Sequence, residues 1–321
     1  MLSRVADNLY WMARYLERAQ HTARLLDVTL DLVPDRSAGA VTRSWEKLFA
    51  SLHLAIPQGL PLKGRPVTLM LALDAESDPS IVHHIASARD NARQVRELIS
   101  SEMWEQINRL YLDLQKASMD RVWAAPHEFF HAVKQGAHLF QGITDSTMDR
   151  GEGWHFIQLG QYIERAGNVA ALLSAHLADE TAGEALPHAS DLYLEWLGLL
   201  RSCTAFEAYC KVYSADLRFE EIAEFLLLND SFPFSINFAA SMLQSALEDI
   251  ADTTDTRRHN PILRRIGRLK ATLDYEQIDD LLAADLSSTL LTIQSQCAQI
   301  HTDIFHAYIA YPVEEKLTTI V

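Results

Sequence analysis

The strongest constraint on the fold is a helical segment that occurs twice. Residues 14–27 and 161–174, an offset of 147, share seven of fourteen positions: Tyr, Glu, Arg, Ala, Ala, Leu and Leu. Weaker matches follow in order. Trp45, Leu48 and Ser51 match Trp196, Leu199 and Ser202 at an offset of 151. Leu71, Leu73, Ser80 and Ile81 match Leu226, Leu228, Ser235 and Ile236 at 155, and Ile107, Arg109 and Leu110 match Ile266, Arg268 and Leu269 at 159. Offsets that grow steadily along a chain are what small loop insertions produce, so the pattern reads as an internal duplication. The expectation is two pseudo-symmetric repeats, about 1–147 and 148–321, packed as a single compact domain over 1–321.

The period within each copy is helical. Val5, Leu9, Met12, Leu16, Ala19, Ala23 and Leu26 recur at spacings of three and four, the repeat of one helix face. Helices are expected at 1–30, 41–54, 67–73, 79–117 with a break near Ser100, 126–143, 152–178, 190–215, 219–229, 233–252, 260–273 and 277–309. Twelve glycines and ten prolines in 321 residues are too few for the turns of an all-β fold. The predicted fold is all-α, with about ten to twelve helices.

Charge and cysteine usage narrow the function classes. Forty-three acids against 28 bases give −15, which repels phosphate backbones and disfavours nucleic-acid and anionic-membrane binding. No apolar run approaches the ~18 residues of a membrane span, and the N-terminus lacks a signal-peptide core. Cys203, Cys210 and Cys297 form no C-x-x-C pair, which points to a reducing compartment, and Cys203 and Cys210 read as core. A cytoplasmic protein is expected. No Walker loop or G-x-G-x-x-G is present, so no nucleotide site or other cofactor is expected in the chain.

The duplicated Glu-Arg dipeptide carries the most chemistry. Neighbours on a helix point about 100° apart, so Glu17 and Arg18 cannot pair with each other, nor can Glu164 and Arg165. Glu17 has Arg14 at i−3 and His21 at i+4, both also candidates for binding a substrate or partner, whereas Gln161 and Asn168 hold those places around Glu164. Partners on the opposite repeat are therefore expected, Glu17 with Arg165 and Glu164 with Arg18. Such pairs are either an ion-pair brace between two helices or a carboxylate–guanidinium site that binds or activates a substrate.

Asn8 to Ala19 (NLYWMARYLERA) and Gly151 to Ala166 (GEGWHFIQLGQYIERA) resemble the bacterial alpha-E family, as do Glu97 to Ile107 and Phe206 to Tyr209. The resemblance covers essentially the whole chain, with Gln161 departing from the arginine expected in the second motif. It implies an all-helical domain encoded beside, or fused to, circularly permuted ATP-grasp ligases and transglutaminase-like proteases. The implied role is that of an accessory or substrate-presenting subunit of a peptide- or amide-ligase system, with no catalysis assigned to the isolated chain. An alternative is a helical enzyme of peptide or amide-bond metabolism built on Glu17, Arg18, Glu164 and Arg165.

Three further patterns need placing. His127-Glu128-Phe129-Phe130-His131 matches H-E-x-x-H, the spacing of a zinc hydrolase. Pro126 puts it in a first helical turn with no third ligand assigned, so a solvated helix start with inward phenylalanines is the preferred reading. Arg89, Arg93 and Arg96 share one helix face and either bind an anion or pair with nearby acids. Residues 257–270 carry Arg257, Arg258, Arg264, Arg265, Arg268 and Lys270 without an acid, a solvated face or a docking patch for something anionic.

Overall fold

The computed structural model describes residues 1–181, 189–254 and 261–310. Its two longest helices, α1 (Ser3–Leu32) and α8 (Glu152–Thr181), carry the duplicated segment and lie against each other. Gly160 sets how near they come. A Cβ there would collide with the Tyr10 carbonyl oxygen and lie 3.1 Å from the Ala13 Cβ, so a larger residue would force the helices apart.

Each central helix has its own jacket. Around α1 pack α4 (Ile81–Gln94), α7 (Pro126–Thr147) and α9 (Ala189–Ser202); around α8 pack α12 (Ile236–Thr253), α15 (Leu286–Ile304) and α2 (Ala38–Ser51). Outside them, α5 (Ser101–Leu114) lies on α4 and α7, and α13 (Pro261–Tyr275) on α12 and α15. Short helices α6 (Met119–Ala124) and α14 (Ile278–Ala284) lead into α7 and α15. The remaining segments are α3 (Gly64–Thr68), α10 (Phe206–Val212) and α11 (Phe219–Leu228). Ser80 and Ser235, matched in the sequence, cap α4 and α12 alike, accepting from the His83 N–H at 3.2 Å and the Phe238 N–H at 3.0 Å.

The result is an all-helical fold on one continuous hydrophobic core. Fifteen α-helices among the described residues exceed the expected ten to twelve, because short breaks divide the long ones. Thr204, at φ +51°, separates α9 from α10 inside the helix expected over 190–215. Ser100 accepts from the Met103 N–H at 3.1 Å and starts α5 at the anticipated break. Extended Asp285 splits α14 from α15, and α6 is too short to show a period. The segment 67–73 is the end of α3 followed by a π turn at Leu69–Leu73. No helix among the described residues is long and apolar enough to cross a membrane.

The one-face reading of α1 understates its burial. Its middle turns bury Glu17, Gln20, His21, Thr22 and Arg24 along with the apolar stripe. Polar groups so placed need partners, and the way they find them defines the site.

Candidate functional site

The two Glu-Arg pairs cross between α1 and α8. Arg165 donates to Glu17 from both Nε (2.8 Å) and Nη2 (2.9 Å), with the two side chains at most 5% exposed. Glu164 accepts from Arg14 Nε at Oε2 and from Arg18 Nε at Oε1, each at 2.7 Å. Glu17 thus meets Arg165 and Glu164 meets Arg18, as the spacing predicts. Arg14 departs from expectation: it does not serve Glu17 on its own helix but reaches across to Glu164. The reason is local, since Gln161 and Asn168 leave Glu164 without a charged neighbour on α8. Burial would raise the Glu164 carboxyl, but the Arg14 and Arg18 charges and hydrogen bonds prevail and hold it at about 2.

Arg18 and Glu164 face a cavity of about 310 Å³. Its wall also carries His21, His53, Asp78 and His84, drawn from α1, the loop after α2, the approach to α4, and α4 itself. His21 Nε2 and His84 Nδ1 are buried and have no hydrogen-bond partner among the described residues. Burial, with the Arg24 charge for His21 and the Arg18 and His83 charges for His84, lowers both imidazoles to about 3. Both are therefore neutral at pH 7 and offer donor or acceptor nitrogens. His53 enters the wall with φ +56°, the left-handed conformation that turns a chain off a helix end. His21, a candidate binding residue from the sequence, lies on the wall of this cavity.

The other pair is closed off. Phe234, which aligns with Pro79 at the offset of 155, lies 4.2 Å from the Arg165 guanidinium carbon and 4.7 Å from that of Arg24. Arg24 is 2% exposed, and its Nε and Nη2 have no hydrogen-bond partner among the described residues. Burial lowers its pKa to about 10, with the Glu17 charge opposing. One carboxylate, Glu17, therefore compensates two buried guanidiniums beneath an aromatic ring.

The remaining candidates lie elsewhere. His127, Glu128 and His131 are exposed at the start of α7, where His127 pairs with Asp27 at 2.5 Å while Phe130 turns into the core. Among the described residues no three metal-ligating side chains converge. Arg89 lies over Tyr111 (4.6 Å) and binds Asn108, Arg93 reaches Asp90 at 3.4 Å, and Arg96 lies over Trp104. Arg264, Arg265 and Arg268 are gathered on α13 at a separate cavity, and Lys270 pairs with Asp274. Arg257 and Arg258 fall outside the described residues.

Sequence reasoning missed His53, Asp78, His84, Arg24 and Phe234, which come from segments that only the fold brings together. It also missed the buried cluster in which Glu195 receives Arg36 at 2.7 Å, Lys47, and His176 at 3.3 Å, tying α2 to α8 and α9. For Phe234 a signal was present: the aligned segments read Asp78-Pro79-Ser80-Ile81 and Pro233-Phe234-Ser235-Ile236.

Comparison with known proteins follows the same motif. A family model named Alpha-E, described as a predicted alpha-helical domain with a conserved ER motif, matches residues 1–309. Uncharacterized proteins of Mycobacterium bovis and of two Mycobacterium tuberculosis strains are each 22% identical over 322 residues, covering 94% of this chain and 35% of the relative. The chain thus spans about a third of the length of the curated relatives it matches. No solved structure matches it significantly.

Proposed function

This chain belongs to the alpha-E family, and from that premise we propose that it is the substrate-presenting subunit of an ATP-grasp system that forms peptide or amide bonds. The observation that carries this reading is the inequality of the two Glu-Arg pairs. We infer that the halves are related by a pseudo-two-fold axis: α1, α2, α4, α5, α6 and α7 recur in order as α8, α9, α12, α13, α14 and α15. On that basis the Glu17–Arg165 pair, covered by Phe234, is the brace. The Glu164–Arg18 pair, with Pro79 in the ring's place, is the working site.

The chemistry suits an acceptor bearing a carboxylate or amide. Glu164 grips Arg18 by its Nε, and among the described residues neither Nη of Arg18 has an acceptor, so both are offered to a carboxylate or carbonyl oxygen. The unpartnered nitrogens of His21 and His84 supply neutral hydrogen bonds beside it. The chain brings no nucleotide-binding loop of its own, so ATP is assigned to the ligase and a transglutaminase-like protease remains a further proposed partner. Three unpaired cysteines support a reducing, cytoplasmic setting. A second reading, an enzyme in its own right, is favoured by one feature: the Arg18 guanidinium and two neutral imidazoles line one cavity, where together they can stabilise charge developing on a substrate oxygen.

Two measurements test the proposal. Titrating ATP into the isolated chain is expected to give no saturable binding. Adding the chain to its neighbouring ATP-grasp ligase is expected to raise amide product or change acceptor choice. Tight ATP binding by the chain alone, or ligase output indifferent to it, overturns the proposal.

A further inference from the structure

The second cavity has a different chemistry. Arg264, Arg265 and Arg268 on α13, with Pro261 and with Gln296 from α15, line a space of about 350 Å³ that shares no residue with the Arg18–Glu164 pocket. The arrangement follows from the helix period. Ile262, Ile266, Leu269 and Leu273 turn one face of α13 into the core, which leaves Arg264 and Arg268, four apart, on the outer face with Arg265 beside them. Arg265 donates its Nε to Asp303 at 2.8 Å. Arg264 and Arg268 have no ion-pair or hydrogen-bond partner among the described residues, so two guanidiniums face the cavity uncompensated.

We propose that this cavity binds the phosphate group of a small phosphorylated molecule. A net charge of −15 offers many carboxylates to neutralise arginines, yet among the described residues none pairs with these two at the concavity. Guanidinium forks match phosphate oxygens in geometry, and two of them balance the charge of a phosphate dianion. Pro261 opens α13, so the positive end of the helix dipole adds to the same field. The cavity also leaves room for an organic group attached to the phosphate.

Calorimetric titration of the full chain tests this, using inorganic phosphate, glycerol 3-phosphate and citrate as probes. Saturable binding of glycerol 3-phosphate is expected, stronger than that of inorganic phosphate and weakening as salt rises. The double variant Arg264→Ala/Arg268→Ala is expected to lose at least tenfold in affinity with an unchanged melting temperature, because both side chains are exposed. Binding of inorganic phosphate alone would refute the organic part of the proposal. Equal binding of citrate would overturn it in favour of a carboxylate-rich protein surface as the occupant. Undiminished binding by the double variant, or no binding of any probe, would also overturn it. None of these results bears on the Arg18–Glu164 pocket, which Pro79→Phe in the ligase assay tests separately.

Discussion

Changing Glu17 to Gln separates brace from site more sharply than any other single substitution. The amide keeps one hydrogen bond to Arg165 but removes the charge that Arg165 and Arg24 share. Both guanidiniums are at most 5% exposed, and Arg24 already lacks partners for Nε and Nη2, so no water replaces what is lost. Stranding a buried charge by removing its partner typically costs ~3–5 kcal/mol. At about 2 °C per kcal/mol for a large domain, the melting midpoint should fall by about 6–10 °C. Glu164→Gln strands Arg14 and Arg18 instead, and Arg18 is 31% exposed at an open cavity where water can reach it. Its expected loss is smaller, about 2 kcal/mol against the ~3–5 kcal/mol of a fully stranded charge, because Arg18 can be hydrated and Arg14, though only 11% exposed, keeps the Tyr10 hydroxyl at 3.3 Å and the Trp11 ring at 4.6 Å. Thermal unfolding followed by circular dichroism compares the two directly. An equal loss in the two variants, or a larger one for Glu164→Gln, would refute the assignment of Glu17–Arg165 as the brace.

Other outcomes follow from the same geometry. Gly160→Val should destabilise by more than the ~1–3 kcal/mol typical of overpacking, because its Cβ meets backbone at the α1–α8 crossing; urea unfolding measures it. His21 and His84, held at about 3 against 6.5 unfolded, contribute stability that is full above pH 6.5 and is lost as pH falls toward 3. Arg18, Arg24, His53, His83 and Glu164 are the charged and titratable neighbours setting that value. At about 1.4 kcal/mol per pH unit for each imidazole, these two contribute a drop of about 2–3 kcal/mol between pH 6 and pH 5, to which His301, lowered to about 4, and the lowered His138 and His176 add in the same direction. His84→Phe should reduce the total drop by about 1 kcal/mol; an unchanged slope would remove His84 from the account. Ser235→Ala should cost ~1 kcal/mol through the lost α12 cap, read from the same unfolding curves.

Much of the frame was legible in the sequence, for identifiable reasons. The 3.6-residue period and the Glu-Arg repeat placed α1 and α8, and the inability of adjacent side chains to pair required partners across the interface. What escaped was everything that depends on burial around the full helix. Arg24 reads as an ordinary polar residue four positions from Gln20, yet it is enclosed because α1 is jacketed on several sides. Arg14 was assigned to the near carboxylate because sequence spacing shows neighbours on one helix and not the neighbour across the crossing. His53 and His84 meet His21 only through a left-handed turn and the approach of α4, and neither has a periodic signature.

The central claim is that the pocket at Glu164–Arg18 presents an acceptor to the ligase, and its counterpart shows how to close it. Pro79→Phe puts an aromatic side chain on the wall of this pocket, at the position that the offset of 155 aligns with Phe234. The decisive measurement is amide product formed by the neighbouring ATP-grasp ligase with the wild-type chain, with Pro79→Phe, and with no added chain. The account predicts that the wild type raises product formation, and that folded Pro79→Phe behaves like no addition at saturating ATP. Full stimulation by Pro79→Phe would contradict it.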